Sequence, residues 1–188
     1  MCGNIEQKFL ISFLERRRSK IEKFCNYAAE LFKIKQMHLT FRLATQDDVV
    51  DLIQILADDF IRVERDNSSS AVIEKYRTAF EKIQSDSNQE LTVVELDGEK
   101  VGTFQISYIH YLLYEGKSIA LVEAVAVSSK HRGIGIGTKM FEYIINRAKE
   151  KGCYLVQLTS NKRRVDAIRF YKSLGFKDSH EGFKLEIH

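Results

Sequence analysis

Between an apolar run ending at Val127 and a helical stripe beginning at Ile136 lies Arg132-Gly133-Ile134-Gly135-Ile136-Gly137-Thr138. Glycine lets backbone N–H groups approach an anion without a β-carbon in the way. A helix N-terminus adds unpaired donors and the positive end of its dipole. A phosphate group is the natural guest of such a turn, and two familiar phosphate loops do not fit it. A dinucleotide fingerprint needs GxGxxG and an acidic residue closing the next strand, whereas Gly133, Gly135 and Gly137 are spaced by two and the next strand ends Gln157-Leu158-Thr159. A P-loop needs Gly-Lys-Ser/Thr after four spacer residues, and Gly137-Thr138-Lys139 has the wrong order. A second residue with chemical potential is Glu123, set among Ile119, Ala120, Leu121, Val122, Ala124, Val125, Ala126 and Val127. A carboxylate in such surroundings is costly without a purpose or a partner, and burial would raise its pKa toward that of a base usable near neutrality. The alternative is a strand glutamate paired with a nearby Lys or Arg.

The elements that must position these residues follow from periodicity. Leu39 to Leu43 is expected as a strand, and Thr45 as the N-cap of a helix with Val49, Leu52, Ile53 and Leu56 on one face. The polar stretch Arg65 to Ser70 is expected as a loop before a second helix through Val72, Tyr76 and Phe80 to about Ile83. Leu91 to Leu96 and Val101 to Tyr111 form strands around Asp97-Gly98-Glu99-Lys100, a hairpin signal. Ser118 to Val127 is the next strand. The helix after the glycine turn runs to about Lys151, with Met140, Phe141, Ile144, Ile145 and Ala148 inward and Gly152 ending it. Tyr154 to Thr159 is a strand, Val165 to Leu174 a helix closed by Gly175, and Phe176 to Ser179 and Gly182 to Ile187 the last strands. The expected class is α/β with one mixed sheet.

Residues 5–35 place Leu10, Leu14, Ile21, Phe24, Ala28, Leu31 and Phe32 at near-helical spacing, an amphipathic extension of one or two helices. Packing on its own domain or on a second copy is the expected use, so a homodimer contact is one reading. Membrane-surface binding through Arg16 to Arg18 is the minor one. Residues 1–36 hold eight Lys/Arg and four Asp/Glu, leaving 21 and 22 for residues 37–188, so the net charge of +3 belongs to the extension. That removes the bulk argument for a nucleic-acid-binding core. At 188 residues, 44% hydrophobic and 29% charged, the chain suits one globular domain plus this extension, divided near Met37. No apolar stretch approaches a membrane span, and Phe9 to Leu14 is short for a leader and followed by Glu15-Arg16-Arg17-Arg18, so a cytoplasmic protein is expected. Cys2, Cys25 and Cys153 offer neither a disulfide framework nor a CxxC metal site.

The turn Arg132-Gly133-Ile134-Gly135-Ile136-Gly137, preceded by Val125-Ala126-Val127-Ser128, resembles the signature of the GNAT superfamily: Arg or Gln, two residues, Gly, one residue, Gly or Ala. Asn161 and Ala167-Ile168-Arg169-Phe170-Tyr171-Lys172-Ser173-Leu174-Gly175-Phe176 are similar to that family's later landmarks, in the same order. The resemblance covers residues 38–188. It implies a GNAT-type acyl-CoA N-acyltransferase fold, a mostly antiparallel twisted sheet flanked by helices.

The resemblance also implies roles. The pantetheine arm would pair with a splayed fourth strand at the backbone of Val125, Ala126 and Val127, whose side chains are otherwise core. The pyrophosphate would take the amides of Arg132, Gly133, Ile134, Gly135, Ile136, Gly137 and Thr138. Asn161 would touch the cofactor arm, or else serve as a turn asparagine. Tyr171 would protonate the leaving thiolate as general acid, although its stripe position alone suits core packing. Glu123 resembles the family's remote base acting through water, since an amine must lose its proton to attack. The implied reaction moves the acetyl group of acetyl-CoA to a primary amine of a small molecule or protein, with no metal. A non-catalytic acyl-CoA-binding regulatory module is the rival. His180 is an alternative base, His110 with Tyr108, Tyr111 and Tyr114 would line an acceptor pocket, and Asp58, Asp59, Glu64 and Asp66 would attract a cationic amine. Lys162, Arg163 and Arg164 would neutralise a cofactor phosphate or sit on the surface.

Overall fold

A computed structural model describes residues 38–58 and 70–187. The expected helices over 5–35, the boundary at Met37 and the acidic residues Asp59, Glu64 and Asp66 lie outside the described residues.

The chain enters through β1 (Leu39–Leu43) and a 3-10 turn (Gln46–Asp48), then α1 (Val49–Ala57), α2 (Ser70–Ser85), β2 (Gln89–Leu96), β3 (Glu99–His110) and β4 (Ser118–Val127). A 3-10 turn at Ser129–His131 leads to α3 (Ile136–Glu150), β5 (Cys153–Leu158) and α4 (Val165–Ser173). The five strands lie in chain order, antiparallel except for the parallel β4–β5 pair. That mixed sheet with helices is the expected class. Between β2 and β3 the turn is two residues, Asp97 and Gly98, both at positive φ (51° and 86°), the geometry whose twist matches that of the paired strands.

Alternation along the strands sends their side chains to two faces, and each face has its own helices. On one, Val93 of β2 and Ala126 of β4 join Val49, Leu52, Ile53 and Ile55 of α1 and Phe80 of α2. On the other, Phe104 lies 5.9 Å centroid to centroid from Tyr143 of α3, which stacks on Phe41 of β1 at 4.5 Å. The buried stripe of α3 is Ile136, Met140, Phe141, Ile144 and Ala148. Full burial of each larger member is worth about 1.5–3 kcal/mol, so this stripe fixes where the helix begins and where the glycine turn points.

Two carboxylates are buried with their cations. Asp48 receives Arg42 through Nη1 at 2.7 Å and Nη2 at 2.9 Å, Lys100 at 2.7 Å and the Thr45 N–H at 2.8 Å. The Arg42 guanidinium is the main reason its pKa falls far below the carboxylate range. Glu90 accepts from Arg147 and from the Tyr108 hydroxyl at 3.0 Å. Burial alone would raise its pKa, but these bonds outweigh it and hold the group low.

The last two expected strands are not present. Residues 176–187 make no ladder, and Phe183, Leu185 and Ile187 are at least 90% exposed. Their alternation has strand character, but a strand needs a neighbour in register. Here the segment is held instead by ion pairs of Asp178 with Lys172 (2.7 Å) and Glu181 with Lys162 (3.0 Å). Among the described residues, β5 pairs with β4 alone.

Candidate active site

Three features coincide at the C-terminal half of β4. The β4–β5 ladder ends at the pair Val122↔Leu158, while β4 itself continues to Val127. Pairing with β3 slips at the same point: Gln105 faces Glu123 but Thr103 faces Ala126, so two residues of β4, Ala124 and Val125, oppose the single Phe104. This is a β-bulge, and Ala124 adopts a φ of +52°, which costs a non-glycine residue roughly 1–2 kcal/mol. Strain of this kind persists only where the surrounding structure enforces it, and it gathers at functional sites. Beyond Val122 β4 has no partner on its β5 side, and the wedge this leaves leads along β4 to the third feature, the glycine turn.

In that turn Gly135 is the N-cap of α3 at φ +90°, a left-handed conformation that suits glycine and aims the amides of the first helical turn outward. The first intrahelical bond from this cap is Lys139 N–H to Gly135 C=O at 3.2 Å. Amides preceding Lys139 in the first turn have no intrahelical acceptor and present a partial positive charge. Arg132, Gly133, Ile134 and Thr138 are exposed, Gly135 and Gly137 are half-buried, and Ile136 is buried and anchors the helix. Arg132 does not reach outward: its Nε donates to the Val127 carbonyl at 3.0 Å, tying the turn to the strand end.

Tyr171 is buried in α4, with ring contacts to Phe141 of α3 at 5.5 Å and to Phe176 at 6.1 Å. Phe170 beside it packs on Gly137, so the glycine turn and Tyr171 share one aromatic cluster. Asn161 is exposed, and its Oδ1 accepts from the Arg163 N–H at 2.9 Å, the arrangement of a turn asparagine. Val125 and Val127 are half-buried and Ala126 is buried against α1, as strand side chains with only their backbone available would be.

Several expectations change. Glu123 is exposed rather than buried, because the bulge and the end of the β5 ladder leave that side of β4 open. The premise that it is buried therefore falls. His110 bonds Ser118 at 2.6 Å and Tyr114 stacks on Tyr154 at 5.0 Å, both at the N-terminal end of β4 and β5. At about 3.3 Å per residue that end is roughly 30 Å from Val127, so these side chains do not line the wedge. Tyr108 is buried on Glu90. His180 is exposed in the unpaired tail, bonded to its neighbour Ser179 at 2.8 Å. Lys162 is engaged by Glu181. Asp58 is bonded to Ser129 and so does not stand ready for a cationic amine. Sequence reasoning missed the bulge, since a strand apolar throughout except for Ser118 and Glu123 carries no alternation for an inserted residue to interrupt.

A glycine turn that caps a helix directly after the fourth strand is the order of elements the sequence resemblance implies. The model of the acetyltransferase (GNAT) family matches residues 49–176. The chain belongs to this family. Among curated proteins, the GNAT chain is similar to the aminoalkylphosphonate N-acetyltransferase of Salmonella typhimurium, 28% identical over 142 residues, 76% of this chain and 87% of that one. Among solved structures, a protein from Bacillus halodurans C-125 described as a transcriptional regulator superposes with a TM-score of 0.76 at 43% identity, covering 80% of this chain and all of the other. A Clostridium acetobutylicum protein described as a predicted acetyltransferase and solved with acetyl-CoA superposes with a TM-score of 0.62. It is 21% identical and covers 79% of this chain and 96% of its own, which speaks for the fold alone. Among the described residues of this GNAT chain no helix is long and apolar enough to cross a membrane.

Proposed function

We propose that the chain is an N-acetyltransferase that moves the acetyl group of acetyl-CoA directly to a primary amine of a small molecule or protein. The observation that carries this is the meeting of the β4 bulge, the end of the β4–β5 ladder and the Gly135 cap at one wedge. A pantetheine arm fits such a wedge as an added strand on the backbone of Val125 to Val127, and the pyrophosphate fits the amides from Arg132 to Thr138. Asn161, on the loop after β5, flanks the arm. The catalytic domain is residues 37–188, with residues 1–36 appended.

In this mechanism the amine nitrogen attacks the thioester carbon, the carbon–sulfur bond breaks, and the sulfur leaves as a thiolate. The Tyr171 hydroxyl gives that sulfur a proton. Glu123 takes the proton the ammonium must lose, through water, which its exposed position on β4 admits. Starting from the ammonium, the nitrogen gives up two protons, one to Glu123 through water before attack and a second as the amide forms; the second balances the proton Tyr171 gives the sulfur, and the first passes to solvent.

A second reading is a regulatory module that binds acyl-CoA without turning it over, favoured by the transcriptional-regulator description of the Bacillus halodurans protein. Incubation with acetyl-CoA and a panel of primary amines, followed by detection of free thiol, separates the two. Amine-dependent thiol release supports the enzyme. Binding of acetyl-CoA with no release for any amine supports the module.

A further inference from the structure

Asp58, which closes α1, accepts a 2.5 Å hydrogen bond at its carboxylate from the Ser129 N–H, across 71 residues of sequence. That backbone bond, with the Ser129 hydroxyl second, holds the Asp58 pKa below its ordinary value. The Asp58 carbonyl accepts in turn from Arg132 Nη2 at 3.2 Å, while Arg132 Nε holds the Val127 carbonyl at 3.0 Å. Together these bonds join the end of α1, the end of β4 and both sides of the 3-10 turn Ser129–His131 that leads into the glycine turn.

A negative charge beside an anion site is unfavourable unless it does something else there. Here α1 is already fixed by buried Val49, Leu52, Ile53 and Ile55, so it gains little from one exposed carboxylate. The chain leaving β4, by contrast, is exposed at Ser129, Lys130, Arg132 and Gly133 and reaches its first buried residue only at Ile136. Amides bind an anion well only when they converge on it, so the direction of this segment matters to binding.

On the acyl-CoA reading, we infer that Asp58 is a positioning residue for the glycine turn, clamping Ser129 so that the amides from Arg132 to Thr138 converge on the pyrophosphate. It acts through Ser129 and does not touch the ligand. The sign of its effect separates clamp from charge: removing a carboxylate near a diphosphate strengthens binding on electrostatic grounds alone, whereas removing a clamp weakens it.

Calorimetric titration of CoA into the full chain, Asp58→Ala, Ser129→Pro and the double variant tests the clamp. Proline removes the Ser129 donor at the first residue of its turn, and Ser128, at φ −49° and ψ 137°, already has the conformation that precedes proline. Both positions line an open cleft of about 450 Å³, so neither change disturbs the core. Each single variant is expected to weaken CoA binding by about tenfold or more, the usual weight of a charge-assisted bond, and the double variant no further than the weaker single, since one contact is lost in all three. Binding by Asp58→Ala as tight as or tighter than the parent, or additive losses in the double variant, would overturn the clamp. Failure of the parent itself to bind CoA would overturn the acyl-CoA reading and the clamp with it.

Discussion

Gly137 lies so close to Phe170 that a β-carbon on it would come 3.1 Å from the ring Cζ. The first turn of α3 and the helix that carries Tyr171 are therefore in contact through a residue that has no side chain to spare. In Gly137→Ala, helix propensity favours the variant by about 0.5–1 kcal/mol and crowding of a packed ring opposes it by about 1–3 kcal/mol. Crowding wins, so the melting temperature is expected to fall and CoA affinity with it. A variant that melts higher and binds CoA normally would show that Phe170 gives way freely.

Tyr171→Phe keeps the ring among Phe141, Phe170 and Phe176 and removes the hydroxyl. Loss of a general acid costs roughly 100-fold or more in turnover, with CoA affinity nearly unchanged. Steady-state rates and a CoA titration check both halves. Turnover equal to the parent's would leave Tyr171 as a core residue only.

For Glu123→Gln the same measurements apply with one addition. Turnover is expected to fall roughly 100-fold at neutral pH and to recover in part at higher pH, where more of the amine is already deprotonated in solution. A parallel loss at all pH values would argue that Glu123 holds the acceptor rather than deprotonates it.

Asp48→Asn removes one partner of a buried ionic cluster and leaves Arg42 and Lys100 facing a neutral amide. About 3 kcal/mol of stability is expected to be lost at pH 7, by the usual cost of breaking such a pair. Because the folded-state pKa of Asp48 is depressed, its contribution is present above the unfolded carboxylate value, ~3.9, and is lost as the pH falls through the folded one. Urea melts at falling pH should therefore show the gap between parent and variant narrowing below about pH 4.

Much of this site was legible in the sequence because its parts announce themselves locally. Gly133, Gly135 and Gly137 stand between an apolar strand and a helix whose stripe, Met140 to Ala148, recurs at helical spacing, and the structure adds only that Ile136 starts the burial. The hairpin signal at Asp97 to Lys100 likewise located the β2–β3 connection, although the turn itself takes only Asp97 and Gly98 and the register shifts again at Val94/Glu95. What stayed hidden depends on partners far away in sequence. Ala124 bulges because of its relation to Phe104, and nothing about an alanine among valines foretells a positive φ. Glu123 looked buried because its neighbours are apolar, yet burial is decided by where β5 stops. The alternation of Phe183, Leu185 and Ile187 promised a strand, but pattern alone supplies no edge to pair with. Asp58 read as one acid among several, and only the fold shows it bonded to Ser129.

The central claim is that the glycine turn at the head of α3 holds the pyrophosphate of an acyl-CoA. Isothermal titration of acetyl-CoA and free CoA into the parent and into Gly135→Asp tests it most directly, since the variant sets a carboxylate where the N-cap amides should meet phosphate oxygens. Binding of both ligands by the parent, with loss of binding in a variant that still melts cooperatively, is the result predicted. Absence of binding in the parent, or binding that Gly135→Asp leaves intact, would contradict it.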